Sequence, residues 1–369
     1  MCEYEIPFHI QEEIMKRLPV KSLIQFRSVS KAWKSLIDSS EFIAAHSLRC
    51  HTHPQHLLVS YEDPEEGIKY VSYIDGDTFR QQRSLLTVPV SIKELKKLVV
   101  VGSSHGLLCL YGSDPDLTTK MVALWNPSIR KSIVVAVPDQ LSVGKSNPSV
   151  GFGVCSVTGD PKIVLITQSW DDPNIETSYR FKVLVYTLSS GKWRNLSTDL
   201  PAKPVRDWGP VVVTDRFIYS HSAGSSTHNM IMSFDVTNET FESVDLPDTL
   251  ARHHPVNFFI SKVRDSLAMF KYSGEIYPGG DICTVWMMEH GVQKLFTKLF
   301  DIKTPHDFIV GFRKNGIPII QVTYDDDDDD EPPRLVVFEP NSEHNNFLEI
   351  SVYPFSFNVN SYMETLLLL

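Results

Sequence analysis

Six stretches of this 369-residue chain repeat one pattern: an apolar strand ending in an aromatic, a polar turn, and a second strand. They read YVSYIDGDTFRQQRSL, VALWNPSIRKSIVV, VLVYTLSSGKWRNL, IMSFDVTNETFESV, TVWMMEHGVQKLF and LVVFEPNSEHNNFLEI. Their aligned aromatics are Tyr73, Trp125, Tyr186, Phe234, Trp286 and Phe338, spaced 52, 61, 48, 52 and 52 residues apart. Another apolar strand precedes each copy: HLLVSY, GLLCLY, KIVLIT, RFIYSH, LAMFKY and IPIIQV. Before five of these stands one more: LVVVG, SVGFGV, PVVV, VNFFIS and FIVGF. The unit is therefore four strands recurring about every fifty residues.

That period and strand count are those of a kelch-type β-propeller blade. The first copy lacks its leading strand, while the tail YPFSFNVNSYMETLLLL has no partner at the other end. An unpaired sheet edge invites aggregation. The tail is therefore expected to complete the first blade and close a ring of six.

The first forty-odd residues follow a different period. Ile10, Ile14 and Leu18 recur every four residues, with Gln11, Glu12, Glu13, Lys16 and Arg17 on the other faces. This predicts an amphipathic helix with Glu12–Lys16 and Glu13–Arg17 pairs, broken by Pro19. Val20 to Val29 reads as a second helix, and Trp33, Leu36 and Ile37 mark a third whose apolar side is internal core. Ser39 or Ser40 is placed to cap a fourth. Six basic and three acidic residues between Phe8 and Asp38 make the segment cationic within a chain of net charge −10. So small a core needs a covering partner or its own neighbouring domain, and a negatively charged partner would be steered to it.

The stretch Ile6-Pro7, Ile10, Ile14-Met15, Arg17-Leu18-Pro19, Val20-Lys21-Ser22-Leu23 and Val29-Ser30-Lys31-Ala32-Trp33 resembles the plant F-box, with Ile6 for the usual Leu and Ser30 for the frequent Cys. HGLLCLY, LWNPSIRK and VGFGVCSVTGDPKIV resemble phrases of the plant F-box-associated domains, a class that includes the pollen S-locus F-box proteins. The resemblance implies a multidomain α + all-β chain: a three- to four-helix F-box over residues 1–48, then a six-bladed kelch-like propeller of four-stranded blades over 49–369. It further implies docking on Skp1, the acidic adaptor of a cullin-based ubiquitin ligase, through Ile6, Pro7, Ile10, Ile14, Leu18, Pro19, Val20 and Leu23. The function implied is substrate receptor of that ligase, a non-catalytic role. Two alternatives are an F-box protein that sequesters its partner without degradation, and a propeller enzyme.

The remaining signals bound the reading. The negative charge argues against a general nucleic-acid or anionic-membrane binder. Five well-separated cysteines and no CxxC suit reduced thiols in the cytoplasm or nucleus. The N-terminus is polar from its third residue, so no signal peptide is expected. The Leu366–Leu369 run is too short to span a bilayer. Gly102 to Gly106, GSSHG, satisfies G-x-S-x-G but leads into a strand where a nucleophile elbow needs a helix. Ser28 to Lys31 matches S-x-x-K inside the helical opening, without a partner motif. Gly151 and Gly153 are expected to ease a tight inner strand rather than cradle a phosphate. His51, His53 and His56 lack a Cys or carboxylate at zinc spacing, and the Asn195 and Asn238 sequons fall outside a glycosylating compartment. No cofactor or metal is expected, nor a copper centre like that of galactose oxidase, which shares the kelch-type ring.

With the strands of each blade labelled a to d from the centre, the b–c loops read as long and the c–d turns as short. Eighteen of the chain's 45 carboxylates fall in the b–c loops, where recognition commonly resides. The candidate substrate contacts are Trp170, Asp171, Asp172, Glu176, Tyr179, Tyr277, Asp281 and Tyr324, for a protein carrying a basic patch. Basic S-RNases, the targets of the pollen relatives, fit such a face without being selected by it. The run Asp325 to Asp330 also reads as a self-repelling, extended insertion.

Overall fold

Leu107, Leu108, Cys109 and Leu110 are each 0% exposed. Successive side chains of a strand point to opposite faces, so this strand must be covered on both. In the computed structural model, which describes residues 6–49, 55–63, 65–76, 83–138, 148–170, 179–197, 208–214, 216–223, 229–252, 258–273, 282–289, 295–303, 308–322, 333–338, 346–351 and 357–369, neighbouring sheets do the covering. Leu107 and Cys109 pack against Val150, Phe152 and Ile163 on one side. Leu108 and Leu110 pack with Leu58 and Tyr70 on the other. The alternation thus sorts each run of apolar residues into two different cores, one per neighbouring blade.

Four helices open the chain: α1 (Phe8–Met15), α2 (Val20–Phe26), α3 (Lys31–Ile37) and α4 (Ser40–Arg49). Blade one holds β1 (His56–Asp63), β2 (Gly67–Ile74) and β3 (Arg83–Leu85). After the short α5 (Val90–Lys93), blade two is β4 (Lys96–Ser104), β5 (Leu107–Ser113), β6 (Lys120–Asn126) and β7 (Lys131–Ala136). Blade three is β8 (Ser149–Val154), β9 (Pro161–Trp170), β10 (Tyr179–Thr187) and β11 (Lys192–Leu196). Blade four is β12 (Trp208–Val213), β13 (Phe217–Ala223), β14 (Asn229–Asp235) and β15 (Thr240–Val244), followed by α6 (Asp248–Ala251). Blade five is β16 (Phe258–Val263), β17 (Ser266–Tyr272), β18 (Ile282–Met288) and β19 (Phe296–Lys303). Blade six is β20 (Phe308–Phe312), β21 (Pro318–Val322), β22 (Arg334–Val337) and β23 (Asn346–Ser351), and the last strand is β24 (Asn358–Tyr362).

Six four-stranded antiparallel sheets result, and β24 lies innermost in blade one, in the order β24-β1-β2-β3. Its register sets Ser361 opposite Leu57 and Val359 opposite Val59. The expected closure by the tail is therefore present. The six aligned aromatics share one task. Each packs in the core its blade forms with the preceding blade: Tyr73 toward blade six, Trp125 toward one, Tyr186 toward two, Phe234 toward three, Trp286 toward four and Phe338 toward five. The inner strand β8 packs tightly at Gly151 and Gly153, as expected, against Ile218 of β13 and Val236 after β14. A Cβ at Gly153 would stand 2.7 Å from Val236 Cγ2, closer than packed carbons approach. One expectation about connections fails in blade one, where the b–c link is 64–66 and the c–d link the longer 75–82.

The helical unit has its own core: Met15, Val20, Leu23, Ile37 and Phe42, with Trp33 and Leu36 packed against it. Ser30 Oγ accepts from Trp33 N and caps α3; Ser39 Oγ accepts from Phe42 N at the start of α4. The predicted pairs Glu12–Lys16 and Glu13–Arg17 form. Helix α1 stops earlier than expected, at Met15, because the turn before Pro19 is biased away from helical geometry. The core also contains a residue the helices do not supply. Leu366, 0% exposed, is seated among them, with Leu369 and Ile129 alongside. The tail beyond β24 runs from the propeller into the helical unit and joins the two.

Candidate functional site

Two surfaces follow from this architecture, at opposite ends of the blade strands. The first is the outer side of α1 and the residues leading into it. Ile6, Phe8, Ile10 and Ile14 are 53%, 47%, 42% and 47% exposed. They remain so although the helical core is already closed by Leu366. Pro7 and Pro19 are exposed beside them, and Leu18 is half-buried. Val20 and Leu23 lie elsewhere: at 1% and 0% exposure they face inward onto Met15, Ile37 and Leu366. Of the eight residues singled out for adaptor contact, these two serve the core of the unit. Phe8 joins the exposed group and was missed, because the motif counts Ile and Leu positions and not the aromatic between them.

The charges around this patch divide cleanly. Lys16 contacts Glu12 and Glu13, Arg17 contacts Glu13, and Arg27 forms a two-point bond to Asp38 at 2.6 and 2.8 Å. The Arg27 guanidinium holds the Asp38 carboxyl below its ordinary range. Lys21, Lys31 and Lys34 are exposed and form no ion pair with the described residues, Lys34 adding its field to that of Arg27 at Asp38. They account for the local positive charge read from composition.

The second surface is the end of the ring formed by the b–c loops. Trp170 and Tyr179 face one another in register as the last pair of the β9–β10 ladder, so the backbone brings both to the base of one loop. Asp171, Asp172, Glu176, Tyr277, Asp281 and Tyr324 lie outside the described residues, as does the Asp325–Asp330 run. Two described carboxylates of this face hold its turns. Asp63 accepts from the backbone N–H of Glu65 and Glu66 and pairs with Lys69 at 2.7 Å. Asp114 accepts from Thr118 N and Oγ1, both at 2.7 Å. Lys69 was missed as a neutralising partner because strand periodicity shows the face a side chain takes, not its reach.

The motifs set aside in the sequence take structural places. Ser104 ends β4 and Leu107 begins β5, so GSSHG is a strand–turn–strand hairpin. Its last residue, Gly106, has φ of +79°, and a Cβ there would collide with the Met363 carbonyl and with Thr365. Glycine is needed for the tail to pass, which is a packing reason. His56 sits at the start of β1 with Nδ1 3.1 Å from Ser72 Oγ. His51 and His53 lie outside the described residues. No helix among the described residues is long and apolar enough to cross a membrane.

A family model for the F-box domain matches residues 4–44, and one for the F-box associated beta propeller domain matches residues 32–294. The chain belongs to the F-box associated β-propeller family. The F-box match thus covers α1 to α3 and the start of α4, and the associated-domain match runs from α3 through β18, leaving β19, blade six and β24 beyond it. Among relatives, F-box protein CPR1 of Arabidopsis thaliana is 27% identical over 81% of this chain and 73% of that protein. An F-box/kelch-repeat protein of the same plant is 27% identical over 83% of this chain and 82% of its own length. Among solved structures, AofleA from Arthrobotrys oligospora aligns with a TM-score of 0.47 at 12% identity, over 82% of this chain and 84% of that chain, too loose a likeness to bear on function. An F-box joined to its associated propeller supports a substrate-receptor role in general and fits a non-catalytic adaptor.

Proposed function

We propose that this F-box protein is the substrate receptor of a Skp1–cullin–F-box ubiquitin ligase, with residues 1–48 engaging a Skp1-like adaptor and 49–369 presenting a target. The observation that carries this reading is the apolar surface of α1. Four large apolar residues stand exposed on a helical unit whose own core is complete, so burial by a partner is gained without unfolding anything. Covering one large aliphatic side chain contributes about 1.5–3 kcal/mol, and a few suffice for a stable contact. The adaptor contact is then Ile6, Pro7, Ile10, Ile14, Leu18 and Pro19, with Phe8 added. Val20 and Leu23 act from beneath, by holding α2 against the core. Lys21, Lys31 and Lys34 steer an acidic partner to the site.

The target is held at the b–c end, by Trp170 and Tyr179 as aromatic anchors and by Asp171, Asp172, Glu176, Tyr277, Asp281 and Tyr324 in the loops, against a basic patch. The receptor breaks and makes no bonds. It raises the effective concentration of a target near the charged transfer enzyme.

The test is adaptor binding by Ile10→Glu and Ile14→Glu. Each places an unpaired charge in the contact without touching the core, so affinity for a Skp1-like adaptor is expected to fall at least about tenfold, with an unchanged melting temperature. Full affinity in both variants overturns the adaptor assignment.

A further inference from the structure

The end of the ring opposite the acidic loops carries a cavity of its own. The a–b turns converge there around the axis and enclose about 540 Å³, within the ~300–1,000 Å³ of small-molecule sites. Lys262 near the end of β16 and Arg264 in the a–b turn reach it from blade five, and Lys314 from the a–b turn of blade six. Asp265 is the sole carboxylate lining it among the described residues, 3.3 Å from Lys262.

Arg264 and Lys314 depart from the pattern around them. Elsewhere at this end, basic groups meet carboxylates from the next turn: Arg216 with Asp235 at 2.6 Å, Lys162 and Arg194 with Glu239, and Arg313 with Asp75 at 2.8 Å. Arg313 and Lys314 are sequence neighbours with opposite fates, one closing the ring and one lining the mouth. The Asn315 amide oxygen accepts from Ile317 N, so its nitrogen is the end not used in the turn. Cations gathered in a concave site focus their field on whatever enters. Their origin in two adjacent blades offers two points of attachment, which a ligand with more than one anionic group can use at once.

We propose that this axial funnel binds a small molecule carrying two or more phosphate groups, bridged between Arg264 and Lys314. Arginine and lysine together offer a fork and a point charge, the usual pair for phosphate oxygens. Met363, at the start of the tail that enters the F-box, lines the same funnel, so the ligand would rest beside the strand that joins the two units.

The test titrates the full chain with orthophosphate, pyrophosphate and tripolyphosphate, and with citrate at matched ionic strength. Methionine-methyl NMR reports the location. Affinity is expected to rise about tenfold or more from orthophosphate to tripolyphosphate, with the Met363 signal moving and that of buried Met15 still. Arg264→Gln combined with Lys314→Gln should weaken tripolyphosphate binding about tenfold or more. Lys93→Gln combined with Lys192→Gln, an equal charge loss on the outer surface, should not. Citrate binding as tightly as tripolyphosphate overturns the phosphate assignment. Equal loss in both double variants, or a Met363 signal that stays fixed, reduces the effect to diffuse counterion binding and overturns the site. The Met363 response of the unsubstituted protein decides the matter even where a variant fails to fold.

Discussion

Asp75 is 2% exposed at the end of blade one, yet its partners belong to blade six. It accepts from Arg313 Nε at 2.8 Å and from Lys314 N at 2.7 Å, while Arg313 Nη2 donates to the Gly76 carbonyl. These bonds tie the c–d link of blade one to the a–b turn of blade six at the seam where the ring closes. Asp75→Ala leaves a largely buried guanidinium without its carboxylate, and such a loss costs about 3–5 kcal/mol. Chemical denaturation should show a clearly lowered midpoint, with Asp75→Asn in between because it keeps an acceptor for Lys314 N. A midpoint equal to the parent's would mean that the seam is held elsewhere. In the sequence Asp75 reads only as a turn residue after a strand. Its partner is 238 positions away, and nothing local announces it.

At the scale of elements, the tail has two roles. Strand β24 supplies the missing edge of blade one, and the residues after it fill the F-box core. Asn126 Nδ2 holds the passage between them, donating to the carbonyls of Thr365 and Leu367 at 2.9 and 2.6 Å. Removing residues 355–369 should therefore open the ring at β1 and uncover the F-box core together. Size-exclusion chromatography should show aggregation, and circular dichroism the loss of a cooperative transition. A truncated chain that stays monomeric and cooperative would refute closure by β24. The first role was legible, because a four-strand repeat with a three-strand first copy needs one more strand. The second was not, since four leucines in a row carry no period that names their partner.

At the scale of the molecule, the ring separates charge. The b–c links, which carry eighteen carboxylates in the sequence, join strand ends opposite those that bear the F-box, the tail and the cationic funnel. Under the proposed function, long-range steering favours a basic target at the loop end, and exposed charges lose that influence beyond a Debye length of about 8 Å at physiological salt. Reversing Asp171, Asp172 and Glu176 to Lys should slow target association and flatten its dependence on salt, read from association rates at two ionic strengths. Unchanged rates would move the recognition surface off this face. Because Leu366 belongs to the F-box core and to the propeller's last segment, point substitutions separate the two functions more cleanly than cutting the chain between them.

The amino-acid sequence by itself determined the four-strand period, the six blades, the helical opening and the strand that closes the ring. Each of these is a local periodicity or an unmatched copy, and backbone geometry converts such patterns directly into elements. Only the tertiary structure decided which apolar F-box residues face outward, and that Leu366 fills the space behind Val20 and Leu23. It alone gathered Lys262, Arg264 and Lys314 at one mouth. These outcomes depend on contacts between residues far apart in the chain, and periodicity carries no record of what a side chain meets once the ring is closed.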